Sequence, residues 1–243
     1  MIQEVIIYHC PQCDSENIEK NGTDYKGSQK YHCLDCNAYG TLNPQDRNYP
    51  HFFRELILRA YRERASMRGI ERIFGIARQT LARWLKEDAA KLPDLAETLV
   101  PPQENDVLEL DELWSFVLKK SEKRWIWIAL CRRTRQVVAY YIGDRSEESC
   151  RKLWKRIPHA YKKLNSYSDF WESYQKVFPT ETHQSVGKDS GETNHVERWN
   201  NTLRQRLSRF VRRTLSFSKS DLFHEIALKL YLHYYNTQWC PIS

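Results

Sequence analysis

The chain has 243 residues, of which 41% are hydrophobic, and it carries 38 Lys and Arg against 31 Asp and Glu. This length suffices for one large domain with one or two small ones, and the composition excludes a chain that is disordered throughout. No stretch approaches the 18 consecutive apolar residues of a membrane helix, and residues 1–8 lack the basic leader and apolar run of a secretory signal. The net charge of +7 is unevenly spread, because residues 198–213 contain six Arg and no acid. Such a patch suits a polyanion, since each phosphate contact releases counterions.

Two Cys-x2-Cys pairs, each preceded by Tyr-His, lie within the first 42 residues and are separated by 19 residues. Four thiolates complete the tetrahedral shell that zinc prefers, and so small a module has too little core to fold without the metal. The odd total of seven cysteines favours metal ligation in a reducing cytosol, although two disulfides or idle thiols are the alternative. His9 and His32 are not needed as ligands. We predict a zinc finger over residues 1–42 with one structural Zn²⁺ on Cys10, Cys13, Cys33 and Cys36.

Residues 43–92 have the pattern of an all-α helix-turn-helix domain. A first helix is predicted over about residues 50–64, Ser66 can cap a second helix, and Gly75 permits the tight turn before a third. The residues predicted to form the buried faces of the last two helices are Ile70, Ile73, Phe74, Leu81, Trp84 and Leu85. Arg and Gln side chains suit base edges in the major groove. The residues predicted to contact DNA are Arg78, Gln79, Arg83 and Lys86. A plain helical hairpin with a solvated basic face is the alternative.

Residues 93–104 contain three of the nine prolines and are predicted to be a linker. Beyond them, residues 107–118, 124–131 and 136–143 are rich in β-branched and aromatic side chains and are predicted to be strands. A helix over about 148–163 and a short strand ending near Asp169 follow. Helices are predicted over 193–209 and 219–236. Residues 105–243 therefore form an α/β domain with a mixed sheet.

Acidic residues in apolar surroundings are the candidates for metal-dependent phosphodiester chemistry, which needs converging carboxylates. Asp111 lies inside an apolar strand, where a charge is costly unless it is paired or bound to a metal. Glu109 shares the strand parity of Asp111, whereas Glu112 points to the opposite face. Asp169 follows the short strand, and Glu197 begins the basic helix.

Each acid has a structural alternative. Asp111 could pair with an arginine, and Asp169 could cap the helix that follows it. Glu197 could complete a capping box with Asn194 as the N-cap residue. The functional interpretation therefore depends on the three acids together.

Two segments carry a family resemblance. DELWSFV (residues 111–117) and TNHVERWNNTLRQRLSRFVRRTLSFSK (residues 193–219) resemble the insertion sequence 1 family of DDE transposases, whose catalytic domain is RNase H-like. The N-terminal four-Cys finger followed by a helix-turn-helix is similar to that family too. Members often come from two overlapping reading frames, whereas this chain reads through both parts without a break.

The resemblance implies a catalytic triad of Asp111, Asp169 and Glu197, with two Mg²⁺ (or Mn²⁺) ions per active site. Asp111 would bridge both ions, with Asp169 on one and Glu197 on the other. Water and then the freed 3′-hydroxyl would act as nucleophiles, with no covalent protein–DNA bond. His195, two residues before Glu197, could orient a water or a phosphate, although a structural or DNA-contact role is the preferred interpretation. The residues expected to bind DNA phosphates are Arg198, Arg204, Arg206, Arg209, Arg212 and Arg213.

The implied function is binding of an element's terminal inverted repeats, 3′-end cleavage and strand transfer into target DNA. A homodimer or higher oligomer is expected because two ends must be held together. The expected location is cytoplasmic and nucleoid-associated in a prokaryote, without membrane association. The alternatives are a zinc-finger and helix-turn-helix regulator without catalysis, and an RNase H-like nuclease that cuts but does not join. The DNA site and the choice between copy-out and cut-out pathways do not follow from the sequence.

Overall fold

The computed structural model describes residues 6–24, 27–42 and 49–239. The chain forms two compact units, Met1–Arg54 and Glu55–Ser243. Within the described ranges, no helix combines the length and apolar character that crossing a membrane requires.

The N-terminal unit contains a three-stranded antiparallel sheet of β1 (Ile18–Thr23), β2 (Gln29–Cys33) and β3 (Tyr39–Thr41). Among the described residues of this unit, the buried core consists of Cys10, Tyr31, Cys33 and Ala38. The ring of Tyr31 lies over Gly40, where an added Cβ would come within 2.7 Å of it. A glycine at this position therefore allows the tyrosine to close the small core.

Three helices follow: α1 (His51–Arg62), α2 (Met67–Phe74) and α3 (Arg78–Lys91). The side chain of Ser66 accepts a hydrogen bond from the Gly69 amide and caps α2, and Gly75 ends that helix with φ of +67°. The predicted buried residues Ile70, Leu81, Trp84 and Leu85 are buried. Ile73 is 71% exposed, so the prediction that it lies on the buried face with Ile70 was wrong. A helix of two turns presents only a narrow stripe to its neighbour, and Ile73 lies outside that stripe.

The larger unit is built on a five-stranded sheet of β4 (Val107–Phe116), β5 (Lys123–Cys131), β6 (Val137–Gly143), β7 (Asn165–Ser168) and β8 (His183–Ser185). Its order is β6-β5-β4-β7-β8. The β4–β5 and β5–β6 pairs are antiparallel, whereas β4–β7 and β7–β8 are parallel. The predicted mixed sheet is therefore confirmed. Strand β8 was not predicted.

Four helices accompany the sheet: α4 (Glu147–Arg156), α5 (Glu172–Val177), α6 (Asn194–Arg206) and α7 (Asp221–Tyr234). Side chains alternate along β5, so Ile126 and Ile128 join the cluster with α6 and α7, while Trp127 joins the cluster with α4 and α5. The sheet therefore separates two hydrophobic layers. In this arrangement α6 packs against β4.

Helix ends differ from prediction in three places. The helix expected over 148–163 ends at Arg156, because Ile157 precedes a proline and is extended. The helix expected over 193–209 ends at Arg206, followed by a 3-10 turn at Ser208–Phe210. Arg209, Arg212 and Arg213 therefore lie beyond α6 instead of on it. The helix expected over 219–236 is α7, followed by a π-helical segment at Tyr235–Trp239.

The segment predicted to be a linker, residues 93–104, contains a 3-10 turn at Leu95–Thr98 that Asp94 caps. The Val100 amide donates to Gln136 at 2.9 Å, and the Tyr161 hydroxyl donates to the Val100 carbonyl. Hydrogen bonds therefore hold this segment against the rest of the larger unit.

Candidate active site and metal sites

Asp111 lies on β4, and Asp169 directly follows the neighbouring parallel strand β7. The pairing of β4 with β7 places Glu109 opposite Tyr167. Continued by two residues, this register brings Asp111 beside Asp169, which directly follows the last residue of β7. Because the shift is two residues on each strand, both aspartates have the same parity and lie on the same side of the sheet.

The carboxylate of Asp111 is held by two donors. Its Oδ1 accepts from the Glu112 backbone amide at 2.8 Å, and its Oδ2 accepts from the Asn200 side-chain amide at 2.6 Å. Burial, followed by the negative charge of Glu112, raises the pKa of Asp111 to about 7. Among the described residues no arginine forms an ion pair with Asp111, so the alternative of an arginine partner is not what the structure has.

Glu197 belongs to the first turns of α6, three residues before Asn200, and so lies on nearly the same face of the helix. Helix α6 begins at Asn194 with Thr193 as the N-cap residue, so the alternative capping box with Asn194 as N-cap is not formed. The Glu197 carboxylate instead accepts from the Thr193 hydroxyl at 3.4 Å. The bond between Asn200 and Asp111 therefore ties the helix that carries Glu197 to the strand that carries Asp111.

Asp169 does not cap α5, which begins at Glu172 with Trp171 as its N-cap residue. Its Oδ1 accepts from the Trp171 amide at 3.0 Å, in the turn between β7 and α5. The carboxylate thus orders its own turn and contributes to the negative potential at Asp111.

Two further acids of β4, which sequence reasoning considered only by strand parity, are buried and bonded within the protein. Glu109 accepts from the backbone amides of His195 and Val196, and Arg132 donates to it at 2.7 Å. Glu112 accepts from Arg145 at 2.7 Å and from the Tyr174 hydroxyl at 3.0 Å. Burial raises the pKa of both carboxyls. Their signal in the sequence was an unusual density of acids in one apolar strand.

The donor set of this site fits a hard divalent cation. Asp111, Asp169 and Glu197 offer only oxygen ligands, which Mg²⁺ and Mn²⁺ accept. Asn200 Oδ1 is a buried polar atom with no hydrogen-bond partner among the described residues, beside Asp111. An ion-bound water is the kind of donor that such an acceptor lacks.

The four cysteines form a second candidate metal site. The sulfur atoms of Cys10, Cys13, Cys33 and Cys36 all lie within 4.8 Å of one another, and the Cys10–Cys36 and Cys13–Cys33 pairs are 3.6 Å apart. A tetrahedron with Zn–S bonds of about 2.3 Å has sulfurs about 3.8 Å apart, whereas a disulfide needs about 2.05 Å. The thiols are free, so the disulfide alternative is not what the structure has.

Two histidines lie outside that cluster. His9 Nδ1 is 3.3 Å from the Asp14 carbonyl, and the His32 ring stacks on Tyr39 with centroids 4.2 Å apart. The four-thiolate arrangement therefore does not involve them.

The four residues predicted to contact DNA from α3 are exposed: Arg78, Gln79, Arg83 and Lys86. Arg78 donates to Glu71 at 2.9 Å, and Arg83 lies 3.7 Å from Glu87. Lys86 Nζ lies 5.3 Å from the ring centre of Phe223 on α7. The face is basic, although part of its charge is balanced locally.

The arginines of residues 198–213 divide into two groups. Arg198, Arg212 and Arg213 are exposed. Arg204 instead donates to the Phe210 carbonyl at 2.7 Å and to the Trp114 carbonyl at 3.0 Å. Two of its guanidinium nitrogens therefore donate to the protein's own backbone.

Two more arginines have internal partners. Arg206 forms an ion pair with Glu63, and Arg209 donates to the Ser218 hydroxyl at 3.2 Å. Burial, followed by the charge of Arg212, lowers the pKa of Arg204 to about 10. Some arginines of residues 198–213 therefore bond to other parts of the protein, and the others form an exposed basic surface.

Comparison with known proteins identifies the class of this chain as a transposase, an enzyme that acts on DNA. The family model described as IS1 transposase matches residues 106–238. The chain belongs to the IS1 transposase family, as its sequence motifs predicted.

Several relatives are InsB proteins. The insertion element iso-IS1n protein InsB of Shigella dysenteriae is 41% identical over 120 residues, covering 49% of this chain and 88% of that protein. The insertion element IS1 protein InsB of Shigella flexneri is 34% identical over 125 residues, covering 51% and 92%. The insertion element IS1 9 protein InsB of Escherichia coli (strain K12) is 29% identical over 157 residues, covering 62% and 92%.

Proposed function

We propose that this chain binds the terminal inverted repeats of an insertion sequence and catalyses metal-dependent 3′-end cleavage and strand transfer into target DNA. The proposal is carried by one observation. Asp111 lies on β4, Asp169 directly follows the parallel neighbour β7 and adds negative potential at Asp111, and Asn200 bonds the helix of Glu197 to Asp111. Three carboxylates from distant segments would thus form one all-oxygen site.

The proposed fold of residues 105–243 is RNase H-like, and the mixed sheet with helices on both faces supports it. Asp111, Asp169 and Glu197 would hold two Mg²⁺ or Mn²⁺ ions. Such ions lower the pKa of an attacking water and stabilise the leaving oxygen. Asn200 orients the carboxylate of Asp111 through its side-chain amide. The chain supplies oxygen ligands in a fixed geometry.

The front of the chain has the proposed task of recognition. The four-thiolate cluster would hold one structural Zn²⁺ in residues 1–42. Residues 43–92 would form the helix-turn-helix, with the exposed face of α3 in the major groove. The helix caps at Ser66 and Gly75 support that assignment. The exposed residues Arg198, Arg212 and Arg213 would bind backbone phosphates near the catalytic site. A dimer or higher oligomer would hold two ends.

The test is a Mg²⁺-dependent assay with labelled element ends and a plasmid target. Asp111→Asn and Glu197→Gln are expected to lose cleavage while retaining specific binding, whereas Glu122→Gln, a surface change in the β4–β5 turn, is expected to cleave normally. Unchanged cleavage in Asp111→Asn would contradict the catalytic assignment. Cleavage without joining by the unaltered protein would favour a nuclease, and binding without cleavage would favour a regulator.

A further inference from the structure

Strand β4 carries three acids within four residues: Glu109, Asp111 and Glu112. The Glu109 side chain has no exposed surface, and Glu112 is also buried. A buried carboxylate is costly unless it is paired and hydrogen-bonded. Glu109 is hydrogen-bonded to the start of α6, which carries Glu197. Glu112 is connected through Arg145 to the turn that carries Asp169.

Glu109 anchors the start of α6. Its Oε2 accepts from the His195 amide at 2.9 Å and from the Val196 amide at 3.0 Å. These are amides of the first helical turn, which a side chain at the N-cap ordinarily satisfies. The N-cap residue Thr193 forms no such bond. A residue of β4 therefore replaces the local cap, and it fixes where α6 begins relative to the strand.

Two more contacts strengthen that anchor. His195 Nδ1 lies 2.7 Å from Glu109 Oε1. Arg132 donates to Glu109 at 2.7 Å and also to the Glu192 carbonyl at 2.7 Å, in the loop before α6. Glu197 lies two residues after His195 in the same turn. The position of the Glu197 side chain along α6 and its direction around the helix axis therefore both depend on Glu109.

Glu112 leads to Asp169 through Arg145. Arg145 donates to Glu112 at 2.7 Å. The guanidinium carbon of Arg145 lies 3.8 Å from the ring centre of Trp171 and 4.7 Å from that of Trp125, so the cation is held between two indoles. Trp171 in turn donates its backbone amide to Asp169 at 3.0 Å. This path joins β4 to the turn that orients Asp169.

We propose that Glu109 and Glu112 are positioning residues that hold Glu197 and Asp169, respectively, level with Asp111. The inference rests on the proposed function, which assigns those three carboxylates to the metals. One strand then sets the geometry of the whole site: Asp111 directly, Glu197 through the cap of α6, and Asp169 through the Arg145 stack. Metal ligands need this kind of support, because small displacements weaken coordination.

The test compares the Mg²⁺ concentration for half-maximal cleavage in Glu109→Gln and Glu112→Gln with that of the unaltered protein. Loss of a residue that orients a metal ligand typically costs about 10–100-fold in metal affinity or activity. We expect both variants to need at least about tenfold more Mg²⁺ and to recover partly at high Mg²⁺. Glu122→Gln should leave the curve unchanged. A lowered thermal midpoint with an unchanged Mg²⁺ curve would overturn the proposal, because it would assign both acids to stability alone.

Arg145→Lys is a conservative variant that tests the path from Glu112 if Glu112→Gln fails to fold. Lysine keeps the charge beside Glu112 but cannot stack between two indoles in the same way. We expect Arg145→Lys to fold and to need more Mg²⁺. We also expect Glu112→Gln with Arg145→Lys to be little worse than either change alone, because both act along one path. Fully additive effects would contradict that path.

Hydrogen exchange in the metal-free full chain separates this inference from the proposed function. Glu112→Gln should speed exchange of the Trp171 amide, which does not contact Glu112, and should leave the amides of His195 and Val196 unchanged. Glu109→Gln should instead speed exchange of the His195 and Val196 amides and leave that of the Trp171 amide unchanged. If Asp111→Asn still cleaved DNA, the proposed function would fail whatever the exchange result. If exchange at Trp171 were unchanged in Glu112→Gln, the positioning path would fail even with the triad intact.

Discussion

The side-chain amide of Asn200 donates to Asp111 Oδ2 at 2.6 Å, and it is the direct bond between α6 and the proposed metal-bridging carboxylate. The other end of the same amide, Oδ1, is buried without a hydrogen-bond partner among the described residues. One half of the Asn200 amide thus orients Asp111, and the other half is available to accept a hydrogen bond from a water on the proposed metal ion.

We expect Asn200→Ala to lower cleavage by about 10–100-fold while leaving DNA binding intact, because Asp111 loses the donor that orients it. Asn200→Asp is the sharper variant. A further negative charge beside Asp111 raises its pKa above about 7, so the loss of cleavage at low pH should extend to higher pH than in the unaltered protein, and cleavage should recover as pH rises. The measurement is a pH profile of single-turnover cleavage. The same profile in Asn200→Asp and the unaltered protein would contradict the role given to this amide.

Zinc removal should unfold the three-stranded unit and leave the larger unit folded, since a core as small as the one its described residues form cannot stabilise it alone. We expect one zinc per chain by metal analysis, and loss of that zinc in Cys33→Ser. End recognition should weaken, measured by DNA binding. His9→Ala is the matched control and should keep its zinc. A Cys33→Ser protein that retained zinc and full binding would count against the site.

His224 should make stability depend on pH. Its ring is buried, Nδ1 lies 2.8 Å from the Ser218 hydroxyl, and burial lowers its pKa from 6.5 to about 4. The unfolded chain therefore binds a proton below about pH 6.5 that the folded chain does not. This contribution is complete above pH 6.5 and is lost as pH falls towards 4, at most about 3 kcal/mol.

The measurement is urea unfolding between pH 7 and pH 4. His224→Gln removes the titrating group and should flatten the decline in the free energy of unfolding across this range. His159→Gln, at an exposed position, should decline like the unaltered protein. An equal decline in His224→Gln and the unaltered protein would show that other groups govern acid sensitivity.

Arg204 and Arg198 should separate stability from DNA binding. Arg204→Ala removes the donor to two backbone carbonyls and should lower the free energy of unfolding by about 2–3 kcal/mol. Arg198→Ala, at an exposed position of the same helix, should leave stability within about 0.5 kcal/mol. It should reduce the salt slope of DNA binding by about one if it contacts a phosphate. A salt slope lowered by Arg204→Ala at unchanged stability would reverse these roles.

Local patterns predicted a large part of the fold. Strands β4, β5 and β6 are rich in β-branched and aromatic residues, and the caps of α2 at Ser66 and Gly75 follow from backbone chemistry at those residues. Strand β8 was missed because three residues carry too little pattern. It exists because β7 offers a parallel edge beside it.

The partners of buried charges could not be predicted, because pairing depends on which segments the fold brings together. The sequence contains Glu109 in β4 and Arg132 in the turn after β5, and nothing local indicates that Glu109 meets the start of α6 or that Arg132 meets the loop before it. Arg204 is a second case. It belongs to an acid-free run that suggests phosphates, yet β4 and the turn after α6 supply two carbonyls to it.

The parallel pairing of β4 with β7 also bears on when the site comes into existence. A parallel neighbour cannot be reached by a hairpin, so the chain passes through β5, β6 and α4 before Asn165 meets Val107. Strand pairings between residues far apart in the sequence form late, because the entropic cost of closing the long loop comes before the contacts that offset it. A ribosome-bound chain that has completed only the β4–β6 meander holds one of the three acids in place. The proposed active site can therefore assemble only after the chain has been synthesised through α6.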